Sequence, residues 1–378
     1  MQRVLPFLLC IAQALNNGLG KTPGLGWNSD YCIGCSGVRG ALSAPLAGFQ
    51  NEAYIKQLAT FINTSGLQAM GYSFVNMDAS WNTMSRDGAG DWVPDPALWP
   101  SGLDATVAAV HDLGLGFGLY GDRGSRDCSG RPGNLGHEVQ DAAFLVRHKV
   151  DWYKSDSCYA SADHATAFAE YGTMRDALNK TGRPIWFALC GWNTWYAPVG
   201  YSLGNSWRVG VDTGSGWAAV MSNVEGMLSG IAAYAGAGGW HDMSLLLLPG
   251  MGQPPNQIDN ARHRSQFGLH CVFAANMLLT GNLSAVDPWV LATWGNAEAV
   301  AINQDPVYVP YVQLPIAPAA ARGGEYVQAR VAECGGEPAS QAWAWDSPAQ
   351  GFLLNNASKQ CLNVDGCQTE IIYDGEMR

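Results

Sequence analysis

The sequence is poor in charge and has no clusters of basic residues. Only 14% of its 378 residues are charged, and 21 Lys and Arg face 32 Asp and Glu, which gives a formal net charge of −11. Without Lys and Arg clusters to follow a phosphate backbone, nucleic acid is disfavoured as a partner. No stretch beyond the N-terminus reaches the ~18 apolar residues that a membrane-spanning helix needs, so we expect no membrane partner.

Several cofactor and catalytic motifs are also missing. No Gly-rich nucleotide turn follows the first strand-like run, and no serine lies in a G-x-S-x-G elbow. No histidine and carboxylate stand at metal-site spacing, and lone histidines such as His137 and His241 are interpreted as packed or capping residues. We therefore expect no metal, no cofactor and no serine nucleophile.

The first residues have the layout of a secretory signal. Arg3 precedes a short apolar run that ends in an A-x-A site at 12–14, so residues 1–14 are predicted to be a signal peptide. Nine cysteines remain after Cys10, and an oxidising compartment would favour disulfides. Cys271, in an apolar helical run, is predicted to be a buried thiol. We expect the mature protein to be secreted, or vacuolar or lysosomal.

Glycosylation sequons agree with this route. Four N-x-[ST] matches are present, at Asn63, Asn179, Asn282 and Asn356. Each match is weak by itself, because short patterns of this kind are frequent by chance. Together with the signal-like N-terminus they favour passage through the secretory pathway.

Strand-like and helix-like segments alternate from about residue 22 to 300. Eight short β-branched or aromatic runs are separated by stretches in which apolar residues recur at i, i+3 and i+4. Eight parallel βα units close into a barrel, so residues 21–300 are predicted to form an α/β fold of the (β/α)₈ TIM barrel type. An open doubly wound sheet is the alternative, and the missing nucleotide turn argues against it.

Carboxylates close five of the eight strand-like runs. They are Asp78, Asp122, Asp156, Asp212 and Asp242. One such aspartate could be a helix N-cap, but the carboxyl ends of barrel strands carry the chemistry. Five together indicate an acidic pocket. We expect neighbouring tryptophans to wall it: Trp27, Trp81, Trp192, Trp207 and Trp240.

Two carboxylates that face one pocket are what glycoside hydrolysis requires. Asp156 and Asp212 end different strands, so a barrel could place them on opposite sides of one sugar. Lys154 lies on the same strand face as Asp156 and is expected to keep it ionised. Arg208 could bind a hydroxyl or hold a carboxylate. The alternative is that Lys154–Asp156 and Arg208–Asp212 are structural ion pairs.

The pattern changes beyond residue 303. Short alternating runs with Pro and Gly predict a smaller β-rich domain over 303–378. A Q-x-W triplet at 341–343, followed by a Cys-Leu-Asn-Val run at 361–364, resembles one repeat of a ricin-type β-trefoil lectin module. A complete module has three repeats, so this domain is expected to be truncated.

Eight segments along residues 21–310 resemble, in order, the motifs of the alpha-galactosidases of glycoside hydrolase family 27. The clearest are GYSFVNMDASW, VDWYKSDSC, NSWRVGVD and GGWHDM. The resemblance implies a (β/α)₈ barrel followed by an antiparallel β-domain. It also implies cleavage of terminal α-linked galactose by a retaining double displacement, without a cofactor.

The same resemblance assigns roles to residues. Asp156, in the K-x-D-x-C motif, would be the nucleophile, and Asp212, in the R-x-x-x-D motif, would be the acid/base. Cys128 and Cys158 match a family disulfide. The predicted sugar-binding residues are Trp27, Asp78, Tyr120, Lys154 and Arg208 from the family motifs, with Trp192 and Asp242 from the strand ends.

Three positions depart from the family pattern. Ala79 and Ser244 stand where relatives usually have aspartates, and Gly191 stands where galactosidases often have glutamate. A site without the partner of a given hydroxyl discriminates less well for it. The departures therefore concern the choice of sugar more than the chemistry, and an alpha-N-acetylgalactosaminidase or a beta-L-arabinopyranosidase is an alternative. Transglycosylation and a non-catalytic carbohydrate-binding protein are further alternatives.

Overall fold

Eight parallel strands form the centre of the molecule. The computed structural model describes residues 17–31, 51–283 and 286–306, together with four short strands beyond them. The predicted signal peptide and the sequon at Asn356 lie outside the described residues. The eight strands are β1 (Leu25–Asn28), β2 (Phe74–Asn76), β3 (Gly116–Asp122), β4 (Trp152–Asp156), β5 (Trp186–Leu189), β6 (Ser206–Arg208), β7 (Trp240–Asp242) and β8 (Met277–Leu279).

Helices follow the strands. They are α1 (Glu52–Thr64), α2 (Leu103–His111), α3 (Glu138–Arg147), α4 (His164–Lys180), α5 (Ala197–Leu203), α6 (Trp217–Met227), α7 (Asn260–Val272), α8 (Pro288–Trp294) and α9 (Ala297–Asn303). Side-chain oxygens of Asn51, Asp163, Asp259 and Asn296 cap four of them by accepting from a backbone N–H of the first turn. In the described part of the chain, no helix is long and apolar enough to cross a bilayer.

The sheet curls until its two edge strands meet. The strand order is β7-β6-β5-β4-β3-β2-β1-β8, and every pairing is parallel. Asn276 donates its backbone N–H to the His241 carbonyl at 3.2 Å, and Leu246 forms an isolated bridge with Leu279. These contacts join the segments of β7 and β8. The arrangement is consistent with the predicted (β/α)₈ barrel.

Large aromatic side chains fill the interior of the curled sheet. The rings of Trp152 and Trp186 stack with centroids 4.5 Å apart. Glycines make room for them, because a Cβ on Gly24, just before β1, would lie 2.6 Å from the Trp152 ring. A Cβ on Gly118 in β3 would lie 2.0 Å from Asn76 Oδ1. The interior is therefore closely packed below the carboxyl ends of the strands.

A second apolar layer lies between the strands and the helices. It includes Trp27, Val75, Phe117, Tyr153 and Trp207, all fully buried. Side chains alternate between the two faces of a strand, so neighbours in sequence belong to different layers. This alternation decides which residues of the strand ends reach the mouth of the barrel.

Four short strands lie in the predicted C-terminal domain. They are β9 (Arg330–Glu333), β10 (Trp343–Trp345), β11 (Leu353–Asn355) and β12 (Gln360–Asn363). They pair antiparallel in the order β10-β11-β12-β9. The strands agree with a β-rich segment, while the bounds of that domain and its lectin-like repeat stay predictions.

The packing around Gly118 predicts a large response to one added methyl group. Gly118→Ala would push its Cβ into Asn76 and against Trp152, and overpacking of this kind costs about 1–3 kcal/mol of unfolding free energy. The control is Gly268→Ala in α7, where nothing lies within 4 Å of the added Cβ and helix propensity favours Ala by up to about 1 kcal/mol. Chemical denaturation of both variants measures this, and equal stabilities would contradict the packing.

Candidate active site

The Asp156 carboxylate lies at the carboxyl end of β4 and is only 5% exposed. Tyr120 donates its hydroxyl to Oδ2 at 3.0 Å, and the backbone N–H of Ser157 donates to Oδ1 at 3.0 Å. The Cys190 thiol, also buried, lies beside this carboxylate and helps to lower its pKa. β3 and β5 flank β4 in the sheet, which brings Tyr120 and Cys190 to either side of Asp156. The carboxylate is thus held by groups from three adjacent strands.

Lys154 binds a different carboxylate from the one expected. Its Nζ lies 2.7 Å from Asp78 Oδ2, which also accepts from Asn28 Nδ2 at 3.0 Å. The ammonium also lies 5.1 Å from the centroid of the Tyr120 ring. The alternative of a Lys154–Asp156 ion pair is therefore replaced by a Lys154–Asp78 pair that extends to Asn28.

Burial outweighs Lys154 in its effect on Asp156. Removal from water raises the pKa of the Asp156 carboxyl, and the nearby ammonium of Lys154 lowers it only in part. The net shift is upward, which corrects the expectation that Lys154 controls the ionisation of Asp156. The pKa of Lys154 is itself raised, because the attraction of carboxylates led by Asp78 exceeds the effect of its burial.

Arg208 connects the second predicted carboxylate to the first. Its Nη2 lies 3.0 Å from Asp212 Oδ1, and its Nε lies 4.0 Å from Asp242 Oδ1. Its Nη1 donates to Cys190 Sγ at 3.6 Å. The Cys190 thiol therefore lies between Arg208, which binds Asp212, and the Asp156 carboxylate. The sequence signalled the arginine and the carboxylates, but nothing in it indicated that Cys190 would lie between them.

A disulfide fixes the segment that follows Asp156. Cys128 and Cys158 are bonded, as the family resemblance implied. Asp122, fully buried behind them, accepts from the backbone N–H groups of Gly124 and Cys158 at 2.7 Å each. Burial and the charge of Asp156 raise the pKa of Asp122 to about 9. Asp122 and the two sulfurs cluster closely, but sulfurs bonded to each other cannot act as thiolate ligands.

The tryptophans do not form the expected wall. Trp27, Trp81, Trp207 and Trp240 are at most 1% exposed. Trp27 faces the helices, where its ring lies 6.0 Å from that of Tyr54 in α1. The physical reason is strand alternation: Asn28, the next residue, points to Asp78 at the mouth, so Trp27 must point away. Trp192 is the partly exposed member of the five and has a left-handed backbone at φ 55°, so its place in the wall stays a prediction.

At two of the three positions that depart from the family pattern, the structure shows a specific contact with another residue of this chain. A Cβ on Gly191 would lie 1.8 Å from the Tyr196 ring, so that ring occupies the space of a side chain at this position. Ser244 is buried, and its hydroxyl lies near Thr213, the residue after Asp212. Ala79 is partly exposed beside Asp78.

Comparison with known proteins agrees with these features. The sequence model of the family described as Alpha galactosidase A matches residues 22–305. Alpha-galactosidase 3 of Arabidopsis thaliana is 35% identical over 300 residues, which cover 78% of this chain and 63% of the relative. The alpha-galactosidase of Cyamopsis tetragonoloba is 36% identical over 292 residues, with 76% and 66% covered. The chain thus spans about two thirds of the length of these curated relatives.

A solved structure shares the fold. The alpha-galactosidase of Saccharomyces cerevisiae superposes with a TM-score of 0.69 at 27% sequence identity. The match covers 78% of this chain and 66% of the yeast chain. The family model, which matches residues 22–305, spans the eight strands and their strand-end carboxylates.

The raised pKa of Asp122 predicts how stability depends on pH. Its folded value is about 9 and its unfolded value is near 4, so between these values only the folded state holds the proton. The stability from this group is complete below about pH 4 and is lost as the pH rises towards 9. From about pH 5 to pH 9, the thermal midpoint of the native protein should fall more than that of Asp122→Asn. Asp176→Asn, on the exposed face of α4, is the control, and parallel profiles for all three proteins would contradict the assignment.

Proposed function

This chain belongs to the alpha-galactosidase family of glycoside hydrolases, and on that premise we propose that it cleaves terminal α-linked galactose with retention of configuration. The observation that supports this best is the network at the barrel mouth. Tyr120 donates to Asp156, Arg208 binds Asp212, and the Cys190 thiol lies between the arginine and Asp156. Two carboxylates at the same end of the barrel, with these neighbours between them, match the pair that a double displacement needs. Oligosaccharides or glycoconjugates with a terminal galactose would be the substrates.

The proposed reaction has two steps. In the first, an Asp156 oxygen bonds to the anomeric carbon while the bond to the leaving oxygen breaks, and Asp212 gives that oxygen a proton. In the second, Asp212 takes a proton from water as the water oxygen displaces Asp156 from the anomeric carbon. Sugar and leaving group are released, and both carboxyl groups return to their starting states. A sugar hydroxyl in place of water would give transglycosylation.

The other polar residues would bind and orient the sugar. The Lys154 ammonium has donors to spare beyond its bond to Asp78, and the Tyr120 hydroxyl holds the nucleophile in place. Asp78 and Asp242 offer acceptors for sugar hydroxyls. Trp192 offers the one partly exposed ring among the predicted tryptophans, and the apolar face of a sugar could stack on it.

A related sugar is the second candidate, and one observation favours it. The ring of Tyr196 takes the space of the side chain that galactosidases often carry at position 191. A hydroxyl that such a carboxylate would bind loses that partner, so the subsite discriminates less for it. Alpha-N-acetylgalactosaminide and beta-L-arabinopyranoside are the sugars to compare with galactose.

We also propose a secretory route for the protein, to a secreted, vacuolar or lysosomal destination. The signal-like N-terminus supports this, as do the sequons at Asn63 and Asn179, both exposed on helices. Asn282 is half-buried and lies 3.4 Å from the Tyr54 hydroxyl, which makes it a poorer acceptor. The four antiparallel strands near the C-terminus support a small β-domain there, and we propose that its Q-x-W repeat is a lectin-like fragment.

A panel of p-nitrophenyl glycosides tests the proposed activity. Between about pH 4 and pH 7, we expect release of p-nitrophenol from the α-galactoside above all other sugars. Asp156→Ala should lower the rate by on the order of 10³-fold or more, because the covalent step needs this carboxylate. Asp176→Ala is the matched control and should keep the activity.

The outcomes of the panel separate the candidates. Preference for another sugar, lost in Asp156→Ala, would replace galactose by that sugar and keep the mechanism. No cleavage of any member by the folded protein would overturn the glycosidase and favour a carbohydrate-binding protein. Equal loss in both aspartate variants would contradict the role of Asp156.

Glycosylation gives a separate test of the route. Expressed in a host with a secretory pathway, the protein should lose mass on treatment with an N-glycosidase. The double variant Asn63→Gln with Asn179→Gln should show no such loss, because both exposed acceptors are gone. Retention of the mass shift would place the glycan on another sequon, and an unglycosylated native protein would contradict the route.

A further inference from the structure

Ser244 lies in a backbone conformation that serine rarely adopts. It follows β7 by two residues, is 1% exposed and has φ 73°, in the left-handed region. Such a conformation costs on the order of 1 kcal/mol for a residue with a Cβ, so surrounding contacts must hold it. The contacts that hold Ser244 in this strained conformation lie beside Asp242, at the end of β7.

The backbone of Ser244 is bound on both sides. Its N–H donates to Asp242 Oδ1 at 2.6 Å, and its carbonyl oxygen lies 3.3 Å from His270 Nε2 in α7. The first bond ties Ser244 to a predicted sugar-binding carboxylate, and the second ties it to a helix outside the barrel. These bonds fix the backbone of Ser244, and its side-chain hydroxyl remains available for hydrogen bonds to other residues.

The hydroxyl forms a reciprocal pair with Thr213. The Thr213 N–H donates to Ser244 Oγ at 3.3 Å, and the two hydroxyl oxygens lie 3.2 Å apart. Thr213 Oγ1 also lies 2.9 Å from the Leu245 carbonyl, which can only accept. Thr213 Oγ1 therefore donates to Leu245, and Ser244 donates to Thr213 Oγ1. The two hydroxyl protons and the Thr213 N–H are therefore all used in hydrogen bonds, and both residues are buried.

Thr213 is the residue that follows Asp212. Its backbone and its side chain are thus both attached to the segment after β7, while Arg208 holds the Asp212 carboxylate from the other side at 3.0 Å. We propose that Ser244 is a positioning residue for Asp212 and orients this carboxyl group toward the leaving oxygen. The proposal rests on the proposed function, in which Asp212 is the acid/base.

An aspartate at position 244 could not form the same pair. An ionised carboxylate would accept from the Thr213 N–H, but it has no proton to donate to Thr213 Oγ1. It would also bury a second negative charge two residues from Asp242. Ser244 therefore does more than remove a contact to the sugar, because its hydroxyl supplies a hydrogen-bond donor that an aspartate at this position lacks.

Leaving-group dependence distinguishes positioning from a general structural role. Phenol, with a pKa of about 10, needs protonation as it leaves, whereas 2,4-dinitrophenol leaves readily as an anion. In Ser244→Ala, we expect kcat/KM for phenyl α-galactoside to fall about 10- to 100-fold, a partial loss of the roughly 10²- to 10⁴-fold that general acid catalysis supplies. For 2,4-dinitrophenyl α-galactoside, we expect a change of no more than about threefold.

Two further variants control for folding and strain. Ser244→Gly also removes the hydroxyl but suits the left-handed backbone, so it should fold and show the same dependence as Ser244→Ala. Ser206→Ala removes another fully buried serine hydroxyl, which accepts from Trp186 below the mouth. It should leave the ratio between the two substrates unchanged.

Asp212→Ala separates failure of this proposal from failure of the proposed function. If Asp212→Ala spares only the dinitrophenyl substrate while the Ser244 variants slow both substrates equally, or neither, the positioning role is wrong. If Asp212→Ala slows both substrates equally, Asp212 is not the acid, and its role falls together with that of Ser244 while the galactosidase activity itself stands. If the native protein cleaves neither galactoside, the proposed galactosidase function fails, and this role of Ser244 fails with it.

Discussion

The burial of a negative charge at Asp156 is the constraint on which the rest of the site depends. A carboxylate that is 5% exposed loses most of its hydration, and an uncompensated charge in such a place is very costly. Tyr120 supplies a hydroxyl and Ser157 a backbone N–H as donors, and the Cys190 thiol lies beside the carboxylate. These groups come from the ends of β3, β4 and β5, so the stability of the carboxylate depends on the register of these three strands.

The charges of the mouth do not balance, and this has consequences for the ligand. Among the described residues, Lys154 and Arg208 face four carboxylates, those of Asp78, Asp156, Asp212 and Asp242. Asp122 adds no charge near neutral pH because its pKa is about 9. An excess of acceptors repels anions and suits a neutral ligand with many hydroxyl donors. A sugar has this chemistry, so the electrostatics and the family agree.

The sequence predicts those features that depend on local pattern. Strand and helix alternation, carboxylates at strand ends, and a buried thiol at Cys271 all follow from periodicity and composition, and the structure agrees with them. Prediction from the sequence fails where the outcome depends on which face of a strand each residue occupies. Trp27 and Asn28 are neighbours, and a shift of one residue exchanges the layer of each. The role of Cys190 depends on strands that meet only in the folded barrel, which no local pattern contains.

The departures at positions 191 and 244 are coupled to residues elsewhere in the chain. Tyr196 fills the space beside Gly191, and Thr213 completes the hydrogen bonds of Ser244. Substitutions at contacting residues are not additive, because each changes the surroundings of the other. A glutamate at position 191 would meet the Tyr196 ring 1.8 Å from its Cβ, so it could not reach the pocket while that ring stays in place. The site therefore differs from the family pattern by pairs of matched residues, and restoring one member of a pair would not restore the family's subsite.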